Sequence, residues 1–194
     1  MTIFETAAQS WTYPEFILML ESLLAANKTT GANQSEEYLF YAKLNLQRMH
    51  RWNKTFVLPE TTRKIMQQQP AQGWWVITEG WCGDSAQNLP VIARIAEAGN
   101  IPLKIVLRDD NPQIMDQYLT GTSKSIPILA AFDVSGSLLF RWGPRPEAAQ
   151  TLLTAWKKEP EPRPFEDFEK EMHTWYTQDK GRSVQKEILH LLQN

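Results

Sequence analysis

The sequence predicts an α/β protein with a central mixed sheet of about four strands, made of a parallel βαβ unit and an antiparallel hairpin, with helices added at both ends. Three observations carry this. Strand-like and helix-like patterns alternate from residue 73 onward, two β-rich runs then flank a short glycine-containing turn, and amphipathic stretches lie outside this region on both sides. With 194 residues, 42% of them hydrophobic and 22% charged, the chain can bury one well-formed core and is not compositionally disordered.

Residues 11 to about 70 read as helical. Thr12 or Tyr13 followed by Pro14 opens a stretch to about Ala26, Ser35-Glu36-Glu37 opens a second to about Trp52, and Pro59-Glu60 opens a third. Thr29-Thr30-Gly31-Ala32-Asn33 breaks the first two apart. Residues 73–79 then read as a strand, 85–98 as a helix stopped by Gly99, and 103–107 as a short apolar strand. Asp110-Asn111-Pro112 caps a helix reaching Leu119. Residues 126–132 and 138–142, joined through Asp133-Val134-Ser135-Gly136-Ser137, have the spacing of a β-hairpin. A helix over 146–157 ends at Glu159-Pro160-Glu161-Pro162-Arg163-Pro164, whose alternating prolines favour an extended connector. Two more helices follow at about 165–178 and 182–193, with Lys180-Gly181 between them. The expected organisation is a helical extension over 1–72 packed on a core over 73–157, then the connector and C-terminal helices over 158–194, all in one compact domain.

Charge and cysteine content narrow the function. Twenty Lys and Arg against 22 Asp and Glu give a net charge of -2, with no general drive toward nucleic acid or anionic lipid, so neither is an expected partner. The N-terminus lacks a basic stretch, and the apolar run 16–20 is interrupted by Glu21 before it reaches membrane-spanning length. Cys82 is the only cysteine, so no internal disulfide can form, which suits a reducing compartment and a cytoplasmic location. His50, His173 and His190 have no metal-ligand spacing; they read as solvated or satisfied histidines, and no metal is expected. Trp11, Trp52, Trp156 and Trp175 read as packing residues for the added helices.

Cys82 lies in Trp81-Cys82-Gly83-Asp84-Ser85, at a junction from strand to helix. Unpaired backbone N–H groups and the positive end of a helix dipole stabilise an anion there, so the thiol pKa is expected to fall. Asp84 complements the same dipole by roughly 0.3 to 1 kcal/mol but opposes a thiolate two residues away, which leaves an expectation of only moderate acidity. Glu79, three residues before the cysteine, is a candidate proton relay, although a solvated loop carboxylate is the simpler reading.

The order strand, Trp-Cys-Gly-x-x, helix with an internal Pro90, strand, Asp-x-Asn-Pro helix, Ile126-Pro127 strand, Gly136 turn and strand ending in Gly143 resembles the thioredoxin family. The resemblance covers residues 73–157. The Trp-Cys-Gly-Asp-Ser form with helical extensions is similar to a monothiol branch of bacterial thioredoxin-like proteins. It implies a thioredoxin-like fold in which Cys82 is the attacking sulfur, Trp81, Gly83, Asp84 and Gly143 border a substrate groove, and Ile126 offers backbone hydrogen bonds to an extended peptide. Pro127 would be cis beside the sulfur. Two departures limit the chemistry: Ser85 replaces the resolving cysteine, and Val76 replaces the buried acid. Ser85 can support a Cys82 thiolate by a hydrogen bond or cap the helix start, but it cannot resolve a mixed disulfide.

These features imply a monothiol thiol-disulfide oxidoreductase. Cys82 would attack a protein or low-molecular-weight disulfide, and glutathione or another external thiol would release it as co-substrate, with no bound cofactor. The alternative is a non-catalytic peptide- or protein-binding module on the same groove. Cys-Gly-Asp-Ser also resembles the iron-sulfur site of monothiol glutaredoxins at three of four places. Trp81 and Trp142-Gly143-Pro144 depart from that pattern.

Overall fold

Side chains that alternate along β1 (Gln72–Thr78) set the layering. Trp74 and Val76 join one buried cluster, whereas Ile77 joins another with Trp75 packed against it. The computed structural model, which describes residues 2–159 and 163–193, places β1 at the centre of a four-stranded sheet. The strand order is β2-β1-β3-β4, with β2 at Leu103–Leu107, β3 at Ile128–Asp133 and β4 at Leu138–Trp142. β1 pairs in parallel with β2 and antiparallel with β3, and β4 completes the hairpin. The predicted mixed α/β architecture is thus the observed one.

The crossover helix α4 (Gly83–Ala98) lies on the first face of the sheet with Leu89, Ile92 and Ile95 fully buried. Around it pack α1 (Tyr13–Ala25), α2 (Glu36–Thr55), α3 (Glu60–Gln67) and, from the far end of the chain, Val184 and Ile188 of α8 (Arg182–Leu191). The second face is covered more thinly. Phe4, from a 3₁₀ turn at Ile3–Thr6, and Ile114 and Met115, from α5 (Pro112–Met115), close over Ile77, Val106 and Ile128. The open edge of β2 is also covered, because Trp11 and Ile105 exchange backbone hydrogen bonds at 2.9 and 2.7 Å.

Several boundaries differ from expectation. α4 begins at Gly83 and not at Ser85, which makes Cys82 its N-cap residue and moves Ser85 inside the first turn. α5 ends at Met115, short of Leu119, because Tyr118 turns inward against Phe4 at 5.3 Å and a Thr120–Ser123 bridge closes the loop. β3 starts at Ile128, so Ile126-Pro127 forms the approach to the strand. At the C-terminal end, α6 (Glu147–Lys157) and α7 (Phe165–Asp179) share a small apolar cluster in which Trp156 stacks on Phe168 at 4.8 Å. The middle of the proline connector, residues 160–162, lies outside the described residues. Among those described, no helix is long and apolar enough to cross a membrane.

Candidate functional site

The chain leaves β1 at Thr78, passes Glu79, Gly80 and Trp81, and enters α4 at Cys82. The half-buried Cys82 thiol donates to the Ile126 carbonyl at 3.4 Å, and the Ile126-Pro127 peptide bond is cis. Gly143 packs behind this loop with φ +116, and a Cβ there would lie 2.2 Å from the Pro127 carbonyl oxygen. Only glycine fits, because both the backbone conformation and the space exclude a side chain. Cys82, Ile126, Pro127 and Gly143, distant in sequence, are therefore brought together.

Trp81 is held from two sides: the Tyr38 ring is 5.0 Å away and the Arg108 guanidinium lies 4.7 Å over the indole. A cation over an aromatic face fixes the ring's orientation. Ser85 is fully buried, and its hydroxyl accepts from Thr78 Oγ1 at 2.6 Å, which leaves the Ser85 hydrogen free to support the Cys82 sulfur. It is not the helix-start cap.

Asp84 is not a free first-turn acid. Its Oδ2 accepts from Arg145 Nε at 3.0 Å and its Oδ1 from the Tyr176 hydroxyl at 2.7 Å. Tyr176 in turn accepts from Asn88 Nδ2 at 3.1 Å, and Arg145 also donates to Gln150 Oε1 at 2.9 Å. The Asp84 and Arg145 side chains are only 14% and 15% exposed, so the pair is largely desolvated.

This arrangement corrects the expected acidity of Cys82. Burial of the sulfur, aided by the Asp84 charge, pushes the thiol up to about 11, against opposing pulls from Ser85 and Arg145. The helix N-terminus does not win because the charged form gives up water, and Arg145 is engaged by Asp84. At neutral pH the site holds a thiol donating to a carbonyl, not a thiolate.

Glu79 is likewise not a solvated loop carboxylate, for it is fully buried. Its Oε1 accepts from the Asp109 backbone N–H at 2.9 Å, and among the described residues Oε2 has no hydrogen-bond partner. Burial raises its pKa to about 7. The described interactions link its carboxyl to Thr30, Asp109 and Arg108 and not to Cys82.

Residues 31–157, well over half of the chain, match the thioredoxin family profile. The chain belongs to the thioredoxin family. No curated protein matches the sequence. Among solved structures, a protein of unknown function from Pseudomonas aeruginosa aligns with 16% identity and a TM-score of 0.56, covering 94% of this chain and 98% of its own. An HIV epitope scaffold aligns with 15% identity, the same coverage of both chains and the same TM-score. Both are likenesses of fold alone.

The thioredoxin match reaches back over α2 and α3, beyond the residue 73 at which the motif order begins. It does not extend to α7, yet α7 reaches the site. Tyr176 binds Asp84, and His173 lies close enough to Gly83 that a Cβ there would sit 3.2 Å from its ring. Arg145, Tyr176 and Asn88 were missed by sequence reasoning, whereas His173 is the satisfied histidine expected, placed beside the site. Arg145 alone carried a signal, its place just after Gly143-Pro144.

Proposed function

We propose that this thioredoxin-family protein carries out slow single-thiol exchange at Cys82, as a monothiol member with helical extensions. The observation that carries the reading is the position of the half-buried Cys82 side chain, at the helix N-cap and with its sulfur against the Ile126 carbonyl. Cys82 loses its proton and attacks one sulfur of a disulfide; the Cys82–S–S–R bond forms, the old S–S bond breaks, and the departing thiolate takes up a proton. An external thiolate, glutathione being the simplest, then attacks that mixed disulfide. It leaves with R as a new disulfide and returns Cys82 to the thiol. No oxidation state changes within the chain over the cycle.

Slowness follows from the protonated resting state. Raising a thiol from its usual 9.0 to about 11 lowers the thiolate fraction about 100-fold at neutral pH. The stronger nucleophile recovers about 8-fold, for a net loss of about tenfold relative to an ordinary thiol. The same protonated thiol favours a second reading, a groove that binds an extended segment without exchange.

Alkylation of Cys82 across pH, with mass spectrometry after exposure to oxidised glutathione, separates the two. The expected result is a midpoint well above 9, a slowly formed adduct absent from Cys82→Ser, and its release by reduced thiol. No adduct even at alkaline pH would sink the exchange reading and leave the binding module.

A further inference from the structure

We infer that a cationic cleft between α2, α7 and α8, separate from the Cys82 sulfur, binds a small phosphorylated organic anion. The cleft has a volume of about 650 Å³, and Arg48, Arg51, Lys180 and Arg182 all line it. Among the described residues no Asp or Glu lines it. That is the reverse of the chain as a whole, which carries more acids than bases.

Local pairing leaves this charge largely uncompensated. Among the described residues Arg51 and Lys180 have no ion-pair or side-chain hydrogen-bond partner, and both are exposed. Arg182 donates only to the backbone carbonyls of Asp179 and Gln178; Arg48 donates to the Asn45 side-chain oxygen and is partly offset by the Glu169 charge, which leaves Arg51, Lys180 and Arg182 as the cations without an acidic counterpart. The fold fixes the backbone that carries Lys180 and Arg182: the turn through Lys180 and Gly181 has φ +55 and +72, and a Cβ at Gly181 would lie 2.9 Å from Val91. Guanidinium groups lining one cleft suit phosphate oxygens, which they grip with paired N–H donors.

The apolar side of the cleft argues for an organic ligand and not a bare ion. Trp52 and Phe56 form an edge-to-face pair at 5.6 Å on its wall. Trp52 Nε1 donates to Gln87 Oε1 at 2.7 Å, so the indole is held in place. Small-molecule sites combine such apolar walls with a few convergent polar groups, and an aromatic wall takes a planar ring.

His173 lines the same cleft and reports on its charge. Its Nδ1 is 3.1 Å from Gln87 Nε2, which can donate to it, and its Nε2 is 3.6 Å from Glu169 on α7. Arg48 from α2 and Asp84 from α4 also face it, with opposite effects, and its ring lies 6.4 Å from Tyr176. Burial and Arg48 hold the imidazole neutral, with a pKa near 4. An anion in the cleft offsets Arg48 and is expected to raise that value.

The test titrates the full-length protein with ADP, inorganic pyrophosphate and citrate by calorimetry, and follows the His173 pKa by NMR. ADP is expected to bind at least about tenfold more tightly than pyrophosphate or citrate, and to raise the His173 pKa. Arg51→Gln combined with Lys180→Gln, both at exposed positions, should weaken ADP binding about tenfold or more. Pyrophosphate binding as well as ADP, unchanged affinity in the double variant, or no saturable binding would each overturn the assignment. None of these readouts involves Cys82, so failure of the exchange reading leaves this one standing.

Discussion

On one side of the first turn of α4, Asp84 is answered by Arg145 and Tyr176, and Arg145 is answered again by Gln150. On the other side, Arg51 and Lys180 face a cleft with no acid among its described lining residues. The two regions are separated by little more than Gly83 and His173, yet one has internal charge balance and the other does not. Balance on the Cys82 side is achieved at the expense of the thiol, since the network's carboxylate sits two residues from the sulfur and helps keep it protonated. A paired, desolvated network makes a rigid site of low reactivity, whereas an unpaired, open cluster invites a counter-charge from outside.

The largest effect is expected where the balance is broken. Arg145→Met should destabilise the fold by about 3 to 4 kcal/mol, because it strands a largely buried Asp84 carboxylate. It should also push the Cys82 thiol further up, since one of the opposing pulls is lost. Adding Asp84→Asn to Arg145→Met should restore much of the stability and lower the Cys82 pKa below that of the wild type. Urea denaturation and alkylation rates against pH measure both quantities. A single Arg145→Met variant as stable as wild type would show that the pair is not what balances this side.

The motif order from residue 73 to 157 made the sheet and the Cys82 loop legible, because strand periodicity, glycine turns and the spacing of Pro90 and Ile126-Pro127 are local in sequence. The charge network was not legible. Asp84, Arg145 and Tyr176 are up to 92 positions apart, and nothing in the pattern of α7 distinguishes Tyr176 from Phe168 and Met172 on the same buried face. The acidity of Cys82 was misjudged for the same reason: a helix N-terminus is readable from sequence, but desolvation depends on what packs over it. Phe4 was missed because a four-residue 3₁₀ turn has no period to detect.

Glu79 is the exception on the paired side, a buried carboxyl with only one oxygen satisfied among the described residues. Its folded pKa of about 7 exceeds the usual 4.5, so the folded state holds the proton more tightly than the unfolded chain. That stabilisation is complete below about pH 4.5 and is lost as pH rises through about 7. Glu79→Gln keeps an acceptor for the Asp109 N–H and cannot ionise. Relative to wild type, the variant should therefore gain about 2 kcal/mol between pH 5 and pH 8, measured by urea denaturation at the two values. A stability difference that does not change with pH would place the ionised carboxylate among satisfied groups after all.

The smallest effect belongs to the open side, and its sign is what matters. Arg51→Gln removes one of four cations lining the cleft. Without a ligand, this relieves repulsion and breaks no ion pair, so stability should change by less than about 0.5 kcal/mol, in the stabilising direction at low salt. Screening weakens the repulsion as the Debye length falls from about 30 Å at 0.01 M salt to about 3 Å at 1 M, and the gain should vanish over that range. Arg145→Met should keep most of its deficit across the same range, because a partly buried pair is poorly screened. If Arg51→Gln instead costs more than about 1 kcal/mol at both salt concentrations, the guanidinium is bound into the fold. The cleft would then be balanced like the Cys82 side and have no charge to offer a ligand.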